Sequence, residues 1–196
     1  MGRCLPRVGG VSGPADSFRP HGRGPAFGLA NKLERIGFVA VWLLLGRFTP
    51  PPLFAWRRLL LRLFGARIGT GVRIYGSTRV WLPRNLEIGE GALIGPGADL
   101  YNQGRIVIGP HCVVSQRVFL CASTHRVADP AFALELRPVT LGRGCWVAAE
   151  AFVGPGVTMG DGAVLAARGA LFEDAQPMTI YRGNPAAPIG KRRFES

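Results

Sequence analysis

Acidic residues are scarce in this sequence of 196 residues. Asp and Glu total 12 against 24 Lys and Arg, and the stretch from Arg35 to Arg84 carries nine arginines and not one carboxylate. A formal charge of +12 favours acidic partners: nucleic acid, an anionic membrane or a phosphorylated small molecule. Nucleic-acid binding would rest on that charge alone, because no aromatic platform or recognised motif accompanies it. Histidine occurs three times. The four cysteines, Cys4, Cys112, Cys121 and Cys145, lack the spacing of a zinc site. No secretory signal is evident, so the chain reads as cytosolic with reduced thiols. No apolar run approaches the roughly 20 residues that cross a bilayer; "IGFVAVWLLLG" at 36–46 has eleven.

What is abundant is hydrophobic residues, at 47%, and glycine, at 28 residues without the strict period of collagen. A chain of this length and composition builds one globular domain with a sizeable core. From residue 66 a period of six takes over. Aliphatics recur at Ile68, Ile74 and Val80, at Ile88, Ile94 and Leu100, and at Ile108, Val114 and Leu120. After an interruption they return at Leu141, Val147, Val153, Met159, Leu165 and Leu171. At 47% hydrophobic content, fifteen apolar positions in succession have a chance of about 10⁻⁵. Two residues before many of them stands a small residue, such as Ala66, Ala92, Cys112, Cys145 or Ala163, and glycine often follows.

Such a repeat predicts a parallel β-helix, mainly β, in which each hexad gives one short strand and one turn. Three hexads make a coil of 18 residues. The blocks 66–83, 86–103, 106–123, 139–156 and 157–174 make five coils, a prism roughly 24 Å tall at 4.8 Å per coil. The interruption, "ASTHRVADPAFALELRPV" at 122–139, contains a loop over 124–138 after which the repeat resumes in phase. Long loops on rigid scaffolds commonly carry function.

The expected organisation is therefore a flexible tail at 1–28, a helical segment at 29–65, the β-helix at 66–174 and a C-terminal tail segment at 175–196. His21 falls in the first tail and has no expected role. "TPPP" at 49–52 divides the helical segment. Its second half, "LFAWRRLLLRLFG", sets Arg57, Arg58 and Arg62 among leucines and aromatics. Two roles are open to it. It caps the open end of the prism, where an exposed edge would invite pairing, or it lies on an anionic membrane as a basic amphipathic hairpin. Both hold if the apolar faces meet the prism and the arginines point outward.

The repeat, the projecting loop with His125 and the closing "GNPAAPIGKR" together resemble the hexapeptide-repeat O-acetyltransferases. The nearer resemblance is to the colanic acid biosynthesis acetyltransferases within the serine, maltose and galactoside group. It runs from about Asn31 to Arg193 through "WRRLLLRLFGARIG", "LEIG", "DLYNQGRIVIG", "VVSQRVFLCASTH", "DPAF", "CWVAAEAFVGPGVTMGDGAVLAAR" and "RGNPA". The resemblance implies a left-handed parallel β-helix, a homotrimer, and acetyl transfer from acetyl-CoA to a sugar hydroxyl. The donor would lie in a groove between adjacent prisms, facing the loop histidine. The acceptor it implies is an exopolysaccharide or capsule precursor, free or lipid-linked, made in the cytoplasm or at the inner face of the membrane.

His125 is the candidate general base, since an imidazole titrates near the working pH. Relatives commonly have an acid after this histidine, as in "HDY"; here Arg126 follows, which leaves Asp129 or a backbone carbonyl to orient the ring. Trp146 resembles the family's tryptophan beside the thioester arm. Ala148 and Ala149 match the stretch written "WIGG" or "WIGS", and Ala166 and Ala167 the "GA" of "IGAG", where small residues let a slender arm approach the backbone. Asp99, Tyr101 and Asn102 lie where the family contacts the acceptor. Glu173 and Ala187 stand where relatives often carry basic residues, so Arg168, Lys191, Arg192 and Arg193 are the candidates for the CoA phosphates. No metal is expected: only His111 and His125 lie in the repeat region, too few for a zinc anhydrase of similar fold.

Overall fold

The computed structural model describes residues 27–194; the expected tail lies almost wholly outside them, as do Cys4 and His21. From Arg67 onward the chain winds as a parallel β-helix with three faces. Face one stacks Arg67–Ile68, Leu86–Ile88, Ile106–Ile108, Val139–Leu141 and Thr158–Met159. Face two begins at Arg73–Ile74 and face three at Arg79–Val80. Register is set by burial: a strand of two or three residues turns alternate side chains in and out. All fifteen periodic aliphatics are buried, and like positions sit directly over one another, Ile68 on Ile88 and Ile74 on Ile94. Cys112 and Cys145 fill small inward positions as free thiols that donate to the carbonyls of Gly142 and Gly160. The coils stack so closely that a Cβ on Gly89 would lie 2.5 Å from the backbone nitrogen of Pro110.

Five complete coils are followed by part of a sixth. Ala175 bridges to Met159 in parallel, Thr179–Gly183 joins face two beside Val164–Leu165, and Ala186–Lys191 folds back on it antiparallel. The segment at 175–194 thus closes the far end of the prism.

The near end is closed by two helices. The first, α1 (Leu29–Val41), runs into a π-helical turn at Trp42–Gly46, and the second, α2 (Phe54–Leu63), follows the proline turn. Phe38, Trp42, Leu60 and Leu61 join the prism core. The arginines depart from expectation, because they point inward. In coil two the carbonyls of Ile88, Ala92, Ile94 and Ala98 accept amides from coil one. The matching carbonyls of coil one have no coil beneath them, and an unpaired buried carbonyl is costly. Side chains of the cap take the place of the missing amides. Arg62 donates to Ile68, Arg58 to Val72, Arg57 to Ile74 and the indole of Trp42 to Thr78.

Arg57 is only 1% exposed, yet all five of its N–H groups are used. Besides Ile74 it donates to the carbonyls of Thr49, Pro50 and Pro51 and to the Thr49 hydroxyl. The proline turn is tied to the prism by this one guanidinium. With the arginines turned inward, apolar side chains of both helices face outward. Among the described residues no helix is long and apolar enough to cross a membrane.

Candidate active site

The loop over 124–138 is a β-hairpin. Ser123–His125 pairs antiparallel with Leu134–Leu136, and the Asp129 carboxylate accepts the amide of Ala131 at the tip. Antiparallel pairing lets the excursion leave and return at one point, with Arg137 N–H closing on Ala122 O at 3.0 Å, so the coils on either side stay in register.

His125 ends the outgoing strand with its ring exposed. It stacks on the ring of Phe132 at 4.2 Å between centroids, and its Nδ1 lies 2.7 Å from the Phe132 carbonyl oxygen. A carbonyl can only accept, so Nδ1 carries the proton and the Nε2 of the neutral ring presents a lone pair. Of the two candidates the sequence left open, a backbone carbonyl is the one that holds Nδ1.

Two cavities flank this imidazole. One, of about 700 Å³, is lined along the hairpin by residues from Thr124 to Asp129 with Glu135 and Arg137. The other, of about 310 Å³, brings His125 together with Tyr101, Gln103, Ser123, Thr124, Leu134 and Phe27. Tyr101 is held edge-on between Trp81 and Phe119, at 5.0 and 5.8 Å. Burial raises its pKa above the usual tyrosine range. Its hydroxyl accepts the Gln103 amide at 2.9 Å, which leaves the phenolic proton for another partner. The Oε1 of Gln103 is buried with no hydrogen-bond partner among the described residues. Such an acceptor beside a cavity fits a ligand hydroxyl.

Asp99 and Asn102 flank this pair differently. Asp99 faces outward from face three, 3.5 Å from Arg79; burial raises its pKa, and Arg79 offsets only part of that rise. Asn102 is fully buried, and its amide binds the backbone of Trp81 and Leu82, which fixes the corner of coil one.

The expected donor residues gather on face two and its next corner. Trp146 is 44% exposed on face two, its indole N–H bonded to Ser115 Oγ at 3.0 Å. Ala148 and Ala149 follow it, with Ala166 and Ala167 one coil above. The amides of Ala148 and Ala166 are spent within the stack, on Leu165 and Tyr181. Arg168 at this corner binds Glu150 at 2.7 Å, and Arg117 binds the same carboxylate from below. The Arg168 hydrogen bond and the Arg117 charge hold the Glu150 pKa under the usual range. Lys191 donates to Thr179, and Arg192 to the carbonyls of Gly144 and Gly162. One chain does not unite the two halves: His125 leaves from face three, Trp146 stands on face two, and neither cavity includes Trp146.

No family model matches the chain. Over 145 residues it is 42% identical to WcaF of Escherichia coli strain K12, a protein named for acetyl transfer in colanic acid biosynthesis; the match spans 74% of this chain and 80% of WcaF. The chain belongs to the hexapeptide-repeat acetyltransferases. Solved structures agree in fold. A maltose O-acetyltransferase from Clostridium difficile 630 superposes with a TM-score of 0.78 at 22% identity, covering 87% of this chain and 92% of that one. The hexapeptide-repeat acetyltransferase VCA0836 of Vibrio cholerae O1 biovar eltor, complexed with acetyl-CoA, superposes at 0.78 and 17% identity, covering 91% and 98%.

This hexapeptide-repeat acetyltransferase is therefore an acyltransferase. Among its described residues no cluster of His, Cys, Asp and Glu is placed to hold a metal ion. Three residues of the site escape sequence reasoning. Phe132 and Ser115 act through tertiary contacts within the chain that no spacing encodes. Gln103 had a signal, since a glutamine two residues beyond Tyr101 in a strand pattern shares its side of the chain.

Proposed function

We propose that this acetyltransferase moves the acetyl group of acetyl-CoA to a sugar hydroxyl of an exopolysaccharide or capsule precursor, free or lipid-linked, with His125 as general base. The observation that carries the reading is the Nδ1–H bond to Phe132 O, which leaves Nε2 as an acceptor beside the cavity of Tyr101 and Gln103. The acceptor hydroxyl gives its proton to Nε2, and its oxygen attacks the acetyl carbonyl carbon. The carbon–sulfur bond then breaks, and the departing CoA thiolate takes the proton back from the imidazolium. Tyr101 and Gln103 supply one donor and one acceptor for neighbouring sugar hydroxyls. The names of WcaF and of the maltose enzyme support a sugar acceptor, and the VCA0836 complex supports the donor.

Trp146 and the alanine pairs would line the pantetheine arm, with Arg168, Lys191 and Arg192 nearest the phosphates. This half-site faces His125 only if a second prism stands beside the first, and cyclic three-fold packing completes every groove. The test incubates the purified protein with acetyl-CoA and a panel of sugars and sugar nucleotides, read by mass spectrometry. An alkali-labile acetyl ester on a sugar is the expected product. Acetylation confined to amino groups would reject O-transfer, and no acetylated sugar at all would reject the acceptor class.

A further inference from the structure

The outer side of the helical cap is apolar. Leu33, Ile36, Leu44, Phe48, Leu59 and Leu63 are exposed across both helices and the turn between them, Leu44 at 78% and Phe48 at 81%. Packing and capping the prism do not require this, since inward residues already do both.

Immediately beyond the cap lies a second feature. The outward residue of every strand in coil one is arginine: Arg67 on face one, Arg73 on face two and Arg79 on face three. In register with them, coil two carries Glu87, Leu93 and Asp99, so the triad is not continued. All three arginines are exposed. No carboxylate occurs between residues 35 and 84, and neighbouring Glu34 is bound to Arg84 at 2.5 Å.

We infer that the cap seats this acetyltransferase on an anionic lipid surface, its leucines and Phe48 in the acyl boundary and the collar of Arg67, Arg73 and Arg79 at the phosphates. The layering is that of an interfacial, non-spanning anchor, with an apolar surface rimmed by cations. Charge selects lipid over a second copy of the chain. Two caps meeting face to face would oppose two arginine collars, in each of which only Arg79 has a carboxylate partner, Asp99 at 3.5 Å. If the acceptor is lipid-linked, as the proposed function allows, the seat also sets a height. His125 leaves coil three, two coils above the collar, or about 10 Å at 4.8 Å per coil.

The test is co-sedimentation of the full chain with vesicles of phosphatidylcholine alone and of phosphatidylcholine with phosphatidylglycerol, at low and high salt. Pelleting with the anionic vesicles is expected, and part of it should survive high salt because apolar insertion is not screened. Leu44→Ser with Phe48→Ser should lower partitioning by about tenfold or more. Arg67→Gln with Arg73→Gln should abolish the preference for anionic vesicles. None of these residues is in the proposed site, so acetyl transfer to a soluble acceptor and the unfolding midpoint should stay unchanged, which separates this idea from the catalytic one. The proposal falls if wild type pellets with neither vesicle or if the Leu44/Phe48 variant pellets unchanged. It falls equally if light scattering shows that this variant splits a larger wild-type assembly, which would make the face a contact between copies.

Discussion

His125 owes its proposed role to a carbonyl seven residues away. Because Phe132 O can only accept, the imidazole is locked with Nε2 bare, while the flat stack of the two rings limits its rotation. His125→Ala should lower acetyl transfer by at least about 10²-fold while leaving the unfolding midpoint unchanged, since the ring is exposed. A variant with wild-type turnover would remove His125 as the base. Gln103 is a separate case. Its Oε1 is buried without a partner among the described residues, so a sugar hydroxyl is the natural group to satisfy it. Gln103→Leu should raise KM for the acceptor by about tenfold, the worth of one hydrogen bond, and leave KM for acetyl-CoA alone. Equal changes in both constants would show that Gln103 shapes the fold instead.

At the scale of elements, the helical cap imitates the edge of a coil. Four side-chain donors stand where four amides would be, and this accounts for three arginines of the acid-free stretch, Arg57, Arg58 and Arg62: an acid could only accept, and carbonyls need donors. Arg57→Ala would strand the carbonyls of Thr49, Pro51 and Ile74, while that of Pro50 keeps the Leu53 amide, at a cost of about 3 kcal/mol or more. Arg57→Lys keeps the charge but cannot fill five acceptors in a fork, so it should recover only part of that stability in urea unfolding. Full recovery would show that charge alone matters. The hexads were legible in the sequence because period six survives in every coil. The direction of the arginines was not, because an amphipathic helix reveals two faces but not which one meets the prism. That choice was made by the carbonyls of Ile68, Val72, Ile74 and Thr78, groups common to every residue and so invisible to side-chain pattern. For the same reason the sequence offered Asp129 or a carbonyl to hold His125 and could not name Phe132.

For the whole molecule, the proposed site is divided between faces, and the proposed three-fold packing would complete it. Light scattering should give about three times 21.0 kDa. A monomer with full activity would exclude a shared groove. A parallel three-fold arrangement would also set all three caps at one end of the assembly, where weak seats act together. The cap has one more consequence, for how such a chain changes length. Its hydrogen bonds to the prism go to peptide carbonyls rather than to particular side chains, and every coil repeats those carbonyls at the same four positions. Loss or duplication of a whole coil would therefore present the helices with the same pattern of carbonyls. The number of coils is free to drift by whole units behind a constant plug, and the height of the reactive hairpin above that plug would change with it.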